Sequence, residues 1–359
     1  MQRSGFATLR LHYGSAPPWL YGRMVSMGKN IMQVLADTYG QEGVIERLAD
    51  THFFQSLSNV LGFDWNSSGT TTVLCGVLER VFDETEVGVK MAGGKGIKSR
   101  QTQQQLTAIG DELSLGEKKT EELKYSSRIT AKVDNTAIQA GYQLYHHCMF
   151  VTEKGKWTVV QQGMNPENKM ARRYHWLETQ VKEYTEEPHQ AIVGDVIHER
   201  VLNLTSFDSN ECKKTMLDQA REKPEKTRRI FETLTTHQTT LNDTQRKPEY
   251  VIPRRMDWNA VERAYQLQPE KFENLLAIEG MGPATVRGLT LISELVYGSQ
   301  PSWKDPVKYS FAFGGKDGVP YPVNRQSYDK AINTLKEAVE QAKLGQTEKI
   351  EAIKRLNRG

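Results

Sequence analysis

The sequence predicts a mixed α and β protein: an α/β unit over residues 1–207, a charged helix and linker over 208–256, and a mainly helical unit over 257–359. A chain of 359 residues exceeds what one hydrophobic core usually sustains, so two units are expected. Helical periodicity near the N-terminus gives way to short β-rich runs and then returns. Near Asp208 the composition turns charged and threonine-rich and is interrupted by Pro224 and Pro248.

From Trp19, WLYGRMVSMGKNIMQVLADTYG spaces Leu20, Met24, Met27, Ile31, Val34 and Leu35 three and four apart, which gathers them on one helical face. GVIERLAD and HFFQSLSNVLGF continue in that style. A turn over Asp64–Gly69 then leads to TTTVLCGVLERVF, a helix opened by Thr70–Thr72. Short strands follow. VGVKMAG ends in a glycine-rich loop, while HHCMFVTEKG and KWTVVQQGM meet at Glu153-Lys154-Gly155-Lys156 as a hairpin with Gly155 in the turn. NKMARRYHWLETQVKEYTEE reads as a helix ending before Pro188, and AIVGDVI as a short buried strand. Beyond the linker, helix runs from Asp257 through Tyr297. A long loop of Gly, Pro and aromatic residues comes next, then an amphipathic helix from Ser327 to about Leu344.

With 38% hydrophobic and 25% charged residues and a mean hydropathy of -0.60, the chain is neither membrane-spanning nor disordered throughout. No apolar run reaches the roughly twenty residues a bilayer requires, and the N-terminus lacks a signal-peptide core, so a cytoplasmic protein is expected. Cys75, Cys148 and Cys212 are odd in number and far apart, which gives neither a disulfide framework nor a CxxC zinc site. A net charge of +3 is uninformative, but positive charge concentrates between Asn210 and Arg255 and again after Pro283. A polyanion would meet that half first, although solvated helix faces explain the same bias.

The segment PEKFENLLAIEGMGPATVRGLTLISELVYG resembles a helix-hairpin-helix. Leu275 and Ile278 end the first helix, Gly280-Met281-Gly282 turn, Pro283 starts the second, and Val286 and Leu289 face inward. Gly280 and Gly282 permit positive φ and close approach, and Pro283 suits a helix start. The free amides there, at Ala284 and Thr285, form an anion site with Arg287 one turn on. In families that share this hairpin it grips DNA through its backbone with little sequence preference; a helix pair that only packs against protein is the alternative. The loop after Ser299 interleaves Lys304, Lys308, Lys316 and Arg325 with Trp303, Tyr309, Phe311, Phe313 and Tyr321, which suits phosphate contact and base stacking or, equally, anchoring of the loop.

No GxSxG, HExxH or P-loop is present, and Gly93-Gly94-Lys95-Gly96 reads as a turn, with a phosphate nest as the alternative. LKYSSRITAKVDNTAIQAGYQLYHH concentrates Arg128, Lys132, Asp134, Asn135, Gln139, Tyr142, Tyr145, His146 and His147. Phosphodiester cleavage needs an activated nucleophile, a stabiliser of phosphate charge and a proton donor. Asp134 is the candidate carboxylate, Arg128 and Lys132 the phosphate holders, and His146 or His147 the metal ligand or proton carrier; adjacent strand residues face opposite ways, so one of the two serves. His175 and Glu178, three apart on the expected ARRYHWLE helix, share a face. Asp195, at the end of AIVGD, and His12 are further candidates. Asp134 with His146 would hold a divalent ion, Mg²⁺ or Mn²⁺. Each of these residues also has an ordinary structural reading.

LHYGSAPPWL, VLGFDWNSSGTTT, AGGKG, YSSRITAKVDN, GYQLYHH, WTVVQQGMN, ARRYHW, EGMGPATVRGL and DPVKYSFAFGGKDGVPYPVNR together resemble the prokaryotic, largely archaeal family known as domain of unknown function 763, from about Gly5 to about Leu344. The resemblance implies an N-terminal domain of unassigned chemistry joined to a DNA-binding hairpin domain. The expected function is a DNA-binding nuclease in repair, acting as a homodimer because one hairpin binds weakly. The alternatives are a non-catalytic architectural DNA-binding protein and a glycosylase.

Overall fold

The computed structural model describes residues 16–63, 68–194, 196–240, 251–307 and 325–356. Three helices open the chain, α1 (Pro18–Ala49), α2 (Thr51–Leu61) and α3 (Ser68–Asp83). The Asp50 carboxylate caps α2 by accepting from the amides of His52 and Phe53. Strand β1 (Val89–Lys95) leads to α4 (Ile97–Arg100), α5 (Thr102–Glu112) and α6 (Glu117–Lys132), which unwinds into a π turn at Val133–Ala137. Then come β2 (Ile138–Gln139), β3 (Gln143–Thr152), β4 (Trp157–Asn165), β5 (Met170–Leu177), β6 (Ala191–Gly194) and β7 (Leu202–Asn203). The rest is helical: α7 (Asn210–Arg221), α8 (Pro224–Thr240), α9 (Trp258–Leu267), α10 (Phe272–Ala277), α11 (Pro283–Leu295), α12 (Arg325–Gln341) and α13 (Gln346–Leu356).

The fold is thus mixed α and β, with the sheet in the N-terminal half and a helical C-terminal region. Strands β1, β3, β4, β5 and β6 form one sheet, antiparallel throughout and in the order β1-β3-β4-β5-β6. The expected hairpin is β3–β4, and Gly155 in its turn has φ +70°. Helices cover both faces. Cys148, Phe150 and Val160 pack with α1, α2, α3, α12 and α13; Met149, Val151, Val159, Tyr174 and Trp176 pack with α5, α6, α7 and α9–α11.

The segment expected as a helix carrying His175 and Glu178 is strand β5, paired to β4 and β6. Both faces of this central strand are covered and Ala171 to Leu177 are all buried, so no alternation is visible in MARRYHWL. Arg172 and Arg173 point to opposite faces, the first to Asp305 and the second towards Thr71. Because the sheet is antiparallel, the rule that places catalytic acids at parallel-strand ends does not apply to Asp195, which, with His12 and Asp64–Ser67, lies outside the described residues. The segment expected as a charged helix and linker carries α7 and α8, with 241–250 outside the described residues, and Cys212, Met216, Leu217 and Phe231 join the core that unites the sheet with α9–α11. That core runs across position 208. Among the described residues no helix is long and apolar enough to cross a membrane.

Candidate functional site

The sheet separates the residues expected to act together. His146 and His175 face the α1–α3 side, and Asp134 lies under the opposite face, where Gln161 and Trp176 reach it. Asp134 and His146 therefore share no metal, and Asp134, His146 and His175 form no common site. His175 is fully buried and edge-on to Phe54, with ring centroids 5.3 Å apart; burial, then the Arg173 charge, hold its pKa well below the ordinary value. Glu178 follows β5 in a 3₁₀ turn, where it accepts from the Trp157 amide at 3.2 Å and pairs with Lys156 at 3.4 Å. It braces the hairpin and has no paired ligand.

What surrounds Asp134 is a buried relay. Its carboxylate accepts from Trp176 Nε1 at 2.9 Å and from Gln161 Nε2, and bonds His189 Nε2. Gln161 also donates to the Thr130 carbonyl at 3.1 Å, which spends its NH₂ and leaves Oε1 as an acceptor. His147 Nδ1, 2.7 Å from that oxygen, must then carry the proton. Its Nε2 is left to accept from Ser127 Oγ at 2.9 Å. Burial drives the His147 pKa down to about 4, so the ring is neutral at physiological pH and the Nε2 lone pair is the one that meets the Ser127 hydroxyl. Ser127, His147 and Gln161 thus have the geometry of a nucleophile, its proton acceptor and an orienting group, with Asp134 fixing the last. Asp134 is a positioning group here, with both oxygens engaged.

Ser127 and His147 line a cavity of about 250 Å³ with Ser99, Gln103 and Arg128. A second cavity of about 480 Å³ lies beside it, between Lys132 and Asn135 and the turn at Gly282–Pro283. The two share Arg128, Ala131 and Leu144, so the cavities adjoin along α6, one at the start of α11 and the other at the Ser127–His147 pair. Arg128 is exposed and donates to Gln103 Oε1 at 2.8 Å. Lys132 Nζ donates to the Met281 carbonyl at 3.0 Å, and burial lowers its pKa. Gln139 donates to the Pro283 carbonyl at 2.9 Å. These contacts tie α6 and the π turn to the α10–α11 turn.

Within that turn Gly280 has φ +81°, and a Cβ there would meet Asp257 Oδ2 at 2.5 Å. Gly282 is extended, φ -96°, with nothing nearer than 3.8 Å, so positive φ does not explain it. Met281 plugs the helix pair and is fully buried. Helix geometry leaves the amides of Ala284 and Thr285 without intrahelical acceptors. Ala284 is exposed; Thr285 is buried, and its hydroxyl accepts from the Asp257 amide at 3.0 Å. Arg287, expected at the phosphate, instead donates to the Val251 carbonyl at 3.1 Å and lies over the Trp303 ring at 5.5 Å. Lys304 makes an exposed ion pair with Asp208 at 3.3 Å. Lys308 and Lys316 lie outside the described residues, as do Tyr309, Phe311, Phe313 and Tyr321; Arg325 opens α12. The glycine run 93–96 is no phosphate nest, since the Gly93 amide donates to Gln105 Oε1 and the Gly96 amide to the Tyr145 carbonyl.

On the other face, Cys75, His146 and Cys148 come together as a group able to hold a metal ion. Their sulfur and imidazole donors suit a thiophilic ion; Mg²⁺ and Mn²⁺ prefer oxygen.

No curated protein and no solved structure matches the chain. A family model described as protein of unknown function (DUF763) matches residues 5–323. The match spans the sheet, both cavities and the α10–α11 turn, and the chain belongs to that family.

Proposed function

We propose that the chain binds a nucleic-acid backbone in the groove between α6 and the start of α11 and cleaves a phosphodiester there with Ser127 as nucleophile. The observation that carries this reading is the adjacency of the two cavities, which share Arg128 and together reach from the Gly282–Pro283 helix start past Lys132 to the Ser127–His147 pair. A helix start and two cations suit phosphate oxygens, and neither reads bases. In the reaction Ser127 Oγ bonds to phosphorus while its proton passes to His147 Nε2. The bond from phosphorus to the leaving sugar oxygen breaks, and that oxygen takes the proton from His147. Water, deprotonated by the same nitrogen, then bonds to phosphorus; the bond from phosphorus to Ser127 Oγ breaks, Oγ takes the proton back from His147, and a terminal phosphate leaves. Arg128 offsets charge on the phosphoryl oxygens. The groove lacks a carboxylate cluster among the described residues, so no step passes through Mg²⁺ or Mn²⁺. A role in DNA repair and a dimer on DNA belong to the same proposal.

End-labelled single- and double-stranded DNA and RNA, with and without chelator, provide the test. Wild-type protein cuts and forms a covalent adduct on denaturing gels; Ser127→Ala binds but does neither. Undiminished cleavage by Ser127→Ala overturns the mechanism. Ser127 is only 3% exposed, which favours a second reading, a non-catalytic backbone-binding protein whose relay is structural. Binding without scission by wild type selects it.

A further inference from the structure

Cys75 comes from α3, and His146 and Cys148 stand two apart on β3, hence on one face. The two sulfurs and the imidazole nitrogen lie within 4.8 Å of one another, with Cys148 Sγ 3.1 Å from His146 Nε2. Cys75 and Cys148 are 0% exposed and His146 is 1% exposed. We propose that these three residues bind one soft metal ion of the zinc class, which clamps α3 to the sheet. The proposal rests on these three donors alone and not on the nucleic-acid reading, although His146 also lines the cavity of Ser127 and His147.

Donors bound to zinc at about 2.0–2.3 Å in a tetrahedron stand roughly 3.3–3.8 Å apart, within reach of this spacing by small side-chain rotations. Two donors from a strand and one from a packed helix are held by elements whose backbones are already fixed. A separate observation concerns charge. Arg173 is completely buried and has no carboxylate partner among the described residues; Nε and Nη2 lack hydrogen-bond acceptors, and its neighbours are the Phe54 ring at 4.8 Å and Thr71 Oγ1 at 3.5 Å. A buried guanidinium needs nearby negative charge, and Cys75 stands one helical turn beyond Thr71 on α3. Two thiolates offset the charge of one divalent ion, so the loaded site turns negative sulfur towards Arg173 and adds no net positive charge beside it. Loading one divalent ion releases the two thiol protons, one from each cysteine, so the step balances without any redox partner. Three protein donors leave a fourth position for water or an added ligand.

The full chain, purified under reducing conditions and stripped of metal, is titrated with Co²⁺ and then with Zn²⁺. The expected result is a thiolate-to-cobalt charge-transfer band saturating at about one ion per chain, its loss as zinc displaces cobalt, and a rise in melting temperature with zinc. Cys75→Ser and Cys148→Ser abolish the band, His146→Gln weakens cobalt affinity by about tenfold or more, and Cys212→Ser, whose thiol lies in the other core, leaves it intact. Should the cysteine variants fail to fold, alkylation of native wild-type protein decides: zinc protects Cys75 and Cys148 and leaves Cys212 unchanged. Folded wild-type protein with no thiolate band, a band that survives in Cys75→Ser, or equal alkylation with and without zinc overturns the proposal.

Discussion

At Gly280 and Gly282 the two glycines of one turn have different reasons to be there, and substitution separates them. Gly280→Ala places a Cβ at positive φ against Asp257 and costs about 1–3 kcal/mol, read as a lower denaturant midpoint. Gly282→Ala has room and leaves the midpoint unchanged, but it weakens nucleic-acid binding if the backbone of a ligand passes there. Loss of stability in Gly282→Ala with no change in binding would remove that turn from the groove. Asp134 poses the converse case. Three donors converge on its two oxygens, so Asp134→Asn turns an NH₂ against one of them and costs about 3 kcal/mol. A change within about 0.5 kcal/mol would show that the relay contributes little. Part of this was legible in the sequence. With Glu153–Lys156 assigned as the hairpin turn, alternation puts His146 and Cys148 on the face opposite His147, but counting outward sets His147 opposite Gln162; the turn closes one residue tighter, Thr152 on Lys156, and the true partner is Gln161. Ser127, His189 and Cys75 reach those residues through packing between distant segments, which local spacing does not encode.

At the level of elements, β5 shows most clearly where local pattern fails. Arg172, Arg173 and His175 are polar residues buried by tertiary partners, and a strand covered on both faces loses the alternation that announces it. Burial of a neutral histidine on this strand has a pH consequence. The unfolded chain takes up a proton at His175 near pH 6.5, whereas the native ring, with its pKa held well below that, does not. Stability therefore falls as pH drops below about 6.5, by up to about 1.4 kcal/mol per unit from this residue, until the native pKa is reached. Urea midpoints between pH 7 and pH 5 should decline more steeply in wild type than in His175→Phe; parallel declines would mean that His175 is accessible to protons in the native state. The α10–α11 pair, by contrast, was readable because Pro283, Met281 and the apolar spacing all act within one short segment.

For the whole molecule, the composition break near Asp208 is real in the sequence, yet the packing continues through it. Val133, Trp176, Met216, Met281 and Leu289 belong to one core, while α12 and α13 return to α1–α3, where Arg355 Nη2 donates to the Val60 carbonyl at 3.1 Å. Fragments 1–207 and 208–359 are accordingly expected to unfold without cooperativity when made separately and to co-purify when made together. A sharp calorimetric transition in isolated 1–207 would contradict this. The shared core also fixes the groove, because α6 and α11 cannot move apart without opening it. The most direct measurement is the salt dependence of nucleic-acid affinity in wild type and in Arg128→Gln/Lys132→Gln. If a sugar-phosphate chain lies in the groove, the slope of log K against log salt becomes shallower by about 2 in the double variant, since each lost phosphate contact removes about 0.9. An unchanged slope, or a wild-type protein that does not bind, contradicts the account.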